Sequence, residues 1–121
     1  MKDNFMEELF KEQAIRIKIY LAVPSVNDPF EKDETLSELP SLPIDAIVND
    51  LSFSKVKWNM DGISTDSAKE IYIEKKNESL LEQSYKIQIE GINYEGYKVL
   101  GKMQIKTEGD YCRIYCYRKE V

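Results

Sequence analysis

The stretch Ile15-Arg16-Ile17-Lys18-Ile19-Tyr20-Leu21 decides how the rest of the chain is read. Ile15, Ile17, Ile19 and Leu21 point one way and Arg16, Lys18 and Tyr20 the other, which is the period of a half-buried strand and not the 3.6-residue repeat of a helix. Pro24 ends the strand, because proline has no N–H to give to a sheet ladder. Just upstream the period is different. Phe5, Met6, Leu9 and Phe10 recur at one-turn spacing, with Glu7, Glu8, Lys11 and Glu12 on the other side, so a short N-terminal helix is predicted. Asn4 stands three residues before Glu7, the spacing of a capping box.

Period-two segments recur to the end of the chain. Residues 44–51 alternate weakly through Ile44, Ala46 and Val48; residues 69–75 alternate around Ile71 and Ile73; Tyr85, Ile87 and Ile89 do the same. Ile92 and Tyr94, then Tyr97 and Val99, follow Gly91 and Gly96. Met103 and Ile105 belong to one more short strand, and Thr107-Glu108-Gly109-Asp110 reads as a hairpin turn before residues 111–117. Six or seven short strands joined by tight turns predict a mainly β fold, a small antiparallel barrel or sandwich, in one domain spanning residues 1–121. Residues 52–67, with Phe53, Val56, Trp58 and Met60 among polar neighbours, fit neither period.

Residues 24–43 hold Pro24, Pro29, Pro40 and Pro43, all the prolines of the chain, with the acids Asp28, Glu31, Asp33, Glu34 and Glu38. A long acidic loop is predicted at 28–43. Loops of that length are often functional, so Asp28, Phe30, Glu31, Asp33, Glu34 and Glu38 are a candidate neighbour-contact loop, and a solvated insertion without a partner stands beside that reading.

Composition bounds the possible chemistry. With 121 residues, 42% hydrophobic and 32% charged, the chain has the make-up of one globular domain with a single core. The net charge is −5. Residues 28–43 carry five acids against one base, whereas residues 44–121 carry thirteen against twelve, so no basic block is present to displace counterions from a nucleic-acid backbone. No apolar run approaches the roughly 20 residues of a membrane span. The acidic start, Met1-Lys2-Asp3-Asn4-Phe5-Met6-Glu7-Glu8, is unlike a signal peptide, which places the chain in a cytoplasm until assembly.

Histidine is absent, which removes Ser-His-Asp and Cys-His arrangements and the common histidine zinc motifs. Five glycines stand singly at 62, 91, 96, 101 and 109, as turns require and as a phosphate-binding loop does not. Cys112 and Cys116 on one strand would lie roughly 13 Å apart, too far for a disulfide, and with Ile114 they form a small apolar face opposite Tyr111, Arg113, Tyr115 and Tyr117. Asp61-Gly62-Ile63-Ser64-Thr65-Asp66 lacks the alternating ligands of a calcium loop. No catalytic residue, metal ligand or cofactor site is predicted, and the chain reads as a non-enzyme. Among eight tyrosines most sit in strands, where aromatics pair for structural reasons.

From Val48 onward the order of elements resembles that of the head-completion, or stopper, proteins of long-tailed bacteriophages. The resemblance rests on Val48-Asn49-Asp50-Leu51-Ser52, the crossing through Trp58-Asn59-Met60-Asp61-Gly62, the strand Lys69-Glu70-Ile71-Tyr72-Ile73, the hairpin Ile89-Glu90-Gly91-Ile92-Asn93-Tyr94-Glu95-Gly96, and the last strand from Tyr111 to Arg118. It implies a virion protein of the phage neck, forming a dodecameric ring beneath the portal and adaptor, retaining packaged DNA and offering the tail an attachment surface. The family's channel or gating loop would fall between Ser52 and Lys69, on Lys55, Lys57, Trp58, Asp61 and Asp66. That crossing is short and nearly neutral here, which leaves gating open. The alternative is a small β-barrel module that binds a protein or single-stranded nucleic acid through exposed tyrosines.

Overall fold

In the computed structural model, β1 (Ile15–Pro24) is the strand around which the sheet is built, because its two edges serve different partners at different heights. The structure describes residues 4–24, 34–40, 43–51 and 67–118. Along the chain, α1 (Asn4–Gln13) precedes β1, followed by β2 (Glu34–Pro40), β3 (Ile44–Asp50) and β4 (Ala68–Glu74). A 3₁₀ turn, Lys75–Asn77, leads into α2 (Glu78–Glu82), then β5 (Ser84–Ile89), β6 (Ile92–Gly96), β7 (Lys98–Val99), β8 (Lys102–Met103), β9 (Lys106–Glu108) and β10 (Tyr111–Arg118).

On one edge of β1, Ile15, Arg16 and Ile17 pair with Ala46, Asp45 and Ile44 of β3; on the other, Lys18 to Leu21 pair with Gln88 to Ser84 of β5. The order β1-β3-β4-β10-β6-β5 therefore returns to β1, and all pairings are antiparallel, giving a closed six-stranded barrel. Closure leaves no free edge among these strands where they pair, which is how small antiparallel proteins avoid edge-to-edge association.

The stretch expected as a loop is in part a strand. β2 pairs with the far half of β1 from Pro24↔Glu34 to Tyr20↔Pro40, on the same edge as β3. Between the Ala22↔Leu36 and Tyr20↔Pro40 pairs, three residues of β2, Ser37 to Leu39, oppose the single residue Leu21 of β1, so β2 bulges there. The proline and acid content of 34–40 hid this strand, since pairing with one neighbour alone tolerates both. Residues 25–33 and 41–42 lie outside the described residues.

The inward positions are those of the alternating segments. Ile17 and Ile19 of β1, Ala46 of β3, Ile71 and Ile73 of β4, Ile87 and Ile89 of β5, Tyr94 of β6, and Cys112, Ile114 and Cys116 of β10 form one buried cluster. A six-stranded barrel is narrow enough for side chains to fill it, and each buried isoleucine contributes roughly 1.5–3 kcal/mol. Leu81 of α2 is 0% exposed and belongs to the same cluster, so this short helix closes one end of the barrel. The Ala22 N–H donates to the Gln83 carbonyl at 2.8 Å, and the Thr107 hydroxyl donates to the Glu78 carboxylate at 2.5 Å, tying that closure to β1 and β9.

Tyr85 and Gly96 depart from what their sequence setting predicts. Leu21↔Ser84 and Tyr20↔Lys86 bracket an extra residue, Tyr85, so the bulge turns Tyr85 away from the face of Ile87 and Ile89 on which the sequence alone places it. Gly96 is not a turn glycine. A Cβ there would collide with Sδ and Cε of Met103, so its hydrogen leaves room for the Met103 side chain to reach the core. Gly91 and Gly101, in contrast, sit in turns with φ of +82° and +79°.

The helix α1 lies outside the barrel. Ten residues are too few for a stable isolated helix, so its persistence depends on packing. Phe10, 7% exposed, supplies it, with its ring centroid 5.2 Å from that of Tyr111 on the outer side of β10.

Candidate interaction surfaces

With Cys112, Ile114 and Cys116 turned inward, β10 presents Tyr111, Arg113, Tyr115 and Tyr117 on its outer side. Arg113 stands between Tyr72 of β4 and Lys106 of β9 in the ladder. Directly opposed cations are an unfavourable cross-strand pair. Two contacts offset it: the Arg113 guanidinium lies 4.8 Å from the centroid of Tyr115, and the Glu108 carboxylate 3.5 Å from Lys106 Nζ. A cleft of about 430 Å³ opens on one side of this pair, lined by Met6, Tyr72 and Tyr111, and one of about 260 Å³ on the other, lined by Tyr97, Val99, Gln104, Ile105 and Tyr115.

Further along the same outer side, Leu51 and Ala68 are buried beneath Tyr97, Tyr115 and Tyr117. The Tyr97 N–H donates to the Tyr115 carbonyl at 2.9 Å, extending the ladder past β6. Burial raises the Tyr117 hydroxyl above its ordinary pKa, and the neighbouring Glu95 carboxylate pushes it the same way. Glu70, placed between Asn49 and Tyr115, is only 6% exposed although alternation puts it outside. At the same end, Lys69 bonds Asp50, which holds its ammonium above the usual lysine value. The sequence has no signal for this second, external cluster, since alternation marks only the inner face.

The hairpin β7–β8 interrupts the edge along which β6 and then β9 pair with β10, and so projects from the side of the barrel. Its turn residues Leu100 and Gly101 both have positive φ, +53° and +79°, and Leu100 is 99% exposed. Elsewhere on the barrel, Lys86 Nζ lies 4.0 Å from the centroid of Tyr20 and 5.9 Å from that of Tyr85, so these aromatics are already engaged by a cation.

Cys112 and Cys116 are free, buried thiols, as the alternation of β10 predicts. Burial pushes Cys112 up to about 11, helped by Glu78, and Cys116 up to about 12, with Lys69 opposing. Both are therefore protonated and unreactive near neutrality. Among the described residues no group of three or more histidine, cysteine, aspartate or glutamate side chains is placed to hold a metal ion. Nor is any described helix long and apolar enough to cross a membrane.

Lys55, Lys57, Trp58, Asp61 and Asp66, and likewise Asp28, Phe30, Glu31 and Asp33, lie outside the described residues; Glu34 and Glu38 lie in β2. The roots of both segments are nevertheless placed. Residues 25–33 join the end of β1 to the start of β2, and residues 52–66 join Leu51 after β3 to Ser67 before β4. β1 and β3 are antiparallel neighbours, so these described roots lie at opposite ends of the barrel. Searched against known protein families, curated proteins and solved structures, the chain matches none of them.

Proposed function

We propose that this chain is a non-catalytic structural protein of the bacteriophage neck, a head-closure component that forms a ring below the portal and adaptor, helps retain packaged DNA and presents a surface to the tail. The observation that supports the reading best is where three of the barrel's connections are rooted. Pro24 and Glu34, which bound residues 25–33, stand at one end; Leu51 and Ser67, which bound residues 52–66, stand at the other; and the β7–β8 hairpin leaves the side. A ring subunit stacked between two neighbours needs contacts above, below and laterally, and the lateral contacts of a closed ring join two different faces. The side chains point the same way. The chain has no histidine to move a proton near neutrality, and its thiols are buried and protonated.

In this reading the acidic segment near 28–43 carries contacts to the adaptor or tail, and carboxylates near the lumen repel the DNA backbone and keep it sliding. The experiment adds the purified chain to DNA-filled, tailless heads that carry portal and adaptor. Co-sedimentation with the heads, protection of their DNA from nuclease and acceptance of purified tails are expected. Failure to bind the heads, joined to salt-dependent binding of single-stranded oligonucleotides by the isolated chain, would transfer the assignment to a small β-barrel binding module.

A further inference from the structure

We propose that the β7–β8 hairpin is a lateral anchor that joins one copy of this chain to the next, with Leu100 seated in the neighbour's cleft between α1 and the β3–β4 surface. The starting observation is a residue in the wrong place for a monomer. The two-residue turn between Val99 and Lys102 has φ of +53° at Leu100 and +79° at Gly101, the backbone for which asparagine, aspartate and glycine are selected at the first position. A leucine there is disfavoured by the clash of its Cβ with the backbone, and burial would be the usual compensation. Leu100 has none, being 99% exposed, with Val99 beside it 45% exposed. The Glu90–Gly91 turn has nearly the same backbone, φ of +50° and +82°, and carries a charged residue at the equivalent place, so turn geometry does not call for an apolar side chain.

The hairpin is also held rather than loose. Gln104 N–H donates to the Tyr97 carbonyl at 3.3 Å and Gln104 Nε2 to the Lys102 carbonyl at 2.9 Å, closing its base. Met103 fills the space that Gly96 leaves and packs on the main core. A held apolar tip loses little freedom on insertion, which is what an anchor residue requires.

Charge selects the receiving surface. The tip carries Lys98 and Lys102 on either side of Val99 and Leu100 and no acid. The cleft under α1, about 460 Å³, has Phe10, Ala14 and Tyr111 for apolar lining, and Glu7, Asp45 and Glu74 against the single cation Lys11. Among the described residues the ion-pair partners of these carboxylates are exposed cations, Lys11 at 3.9 Å from Glu7, Arg16 at 3.3 Å from Asp45 and Lys76 at 3.9 Å from Glu74. Pairs of that kind hold their members weakly, so the carboxylates are available to an incoming ammonium. The cleft beside β9, about 430 Å³, sets Lys106 and Arg113 against the single acid Glu108, and this excess of positive charge disfavours a lysine-flanked tip. Hairpin and cleft are different faces of one subunit, so the contact is head-to-tail and propagates into a ring. A single anchored leucine makes a weak contact in solution and a strong one once neighbours are held on a platform, where the second contact is intramolecular.

The choice of a second copy as occupant rests on the ring reading above, and two assays separate their failures. In the first, methyl and aromatic NMR spectra of the isolated chain are followed from roughly 20 µM to roughly 1 mM, the range in which a contact of millimolar strength becomes populated. Concentration-dependent shifts at Leu100, Phe10, Ala14 and Tyr111 are expected, with none in Leu100→Asn, which suits the turn and so keeps the fold. The pair Lys98→Glu/Lys102→Glu should lose the shifts and regain them when mixed with Glu7→Lys/Glu74→Lys. The second assay compares occupancy of wild type and Leu100→Asn on portal-bearing heads, with about a ten-fold loss expected for the variant. If shifts are absent or map to Met6 and Tyr72 of the cleft beside β9, or if the variant loads heads as well as wild type, the anchor is refuted while the neck reading stands. If wild type never loads heads yet shifts at hairpin and cleft together, the anchor stands and the neck reading falls.

Discussion

Replacing Leu100 by asparagine should make the isolated chain more stable, although it removes an apolar side chain. The magnitude follows from three observations. The residue sits at φ +53°, where an ordinary L-residue costs roughly 1–2 kcal/mol and asparagine appreciably less. It is 99% exposed, so its loss removes no buried area. The hairpin that carries it is coupled to the barrel through Met103, which packs on the main core, so relief of strain at the turn appears in the global transition. A gain of about 0.5–1 kcal/mol is expected, seen as a higher urea midpoint at unchanged slope, with a melting temperature about 2–4 °C higher for a chain of this size. The turn at Glu90 is an internal control, because its φ of +50° is nearly the same and Glu90 is exposed as well. Glu90→Asn should gain a similar amount, and the two changes should add, since the turns share no partner. The reasoning is refuted if Glu90→Asn stabilises while Leu100→Asn is neutral or destabilising, for that result would mean that Leu100 packs within the monomer.

Four further outcomes are expected. Ile114 is 0% exposed at the centre of β10, so Ile114→Ala should lower stability by about 3–5 kcal/mol in urea unfolding. Gly96→Ala should cost about 1 kcal/mol by displacing the Met103 side chain, and in the Gly96→Ala/Met103→Ala double variant the cycle should show a favourable coupling between the two sites. The folded-state values of Cys112 and Cys116, about 11 and about 12, lie above the ordinary 9.0, so the unfolded chain loses these protons first as pH rises. Their contribution is complete below pH 9 and is lost towards pH 11–12; by pH 10 each thiol should have given up about 1.4 kcal/mol, and Cys112→Ala/Cys116→Ala should flatten that fall in denaturant unfolding measured across the range. The same burial predicts no reaction with a thiol reagent at pH 8 until the chain is unfolded.

Much of the inner face was legible from the order of residues. Ile17 and Ile19, Ile71 and Ile73, and Cys112, Ile114 and Cys116 alternate in sequence and are all buried together, because the pleat of a strand projects a period of two directly onto the two sides of a sheet. Tyr85 escaped the same logic, since the bulge opposite Tyr20 and Leu21 is a property of two strands in register and not of either alone. β2 escaped it as well, hidden among prolines and acids in a stretch that reads as loop. The external cluster of Leu51 and Ala68 with Tyr97, Tyr115 and Tyr117 had no pattern to announce it, and neither did the pairing of Arg113 with Lys106. In the residue order Leu100 is one apolar residue beside a glycine, and only its φ and its exposure set it apart.

The residue order by itself determined that this is a mainly β chain with a short leading helix and an alternating, isoleucine-rich interior, because those features depend on interactions within a few residues. The tertiary structure decided that the strands close into a six-membered barrel, that β2 continues the arm of β3, and that a leucine stands alone at the tip of a lateral hairpin. Those outcomes depend on which distant strands meet and in what register. That choice is made by the free energy of the whole packed core, which no local window of sequence contains.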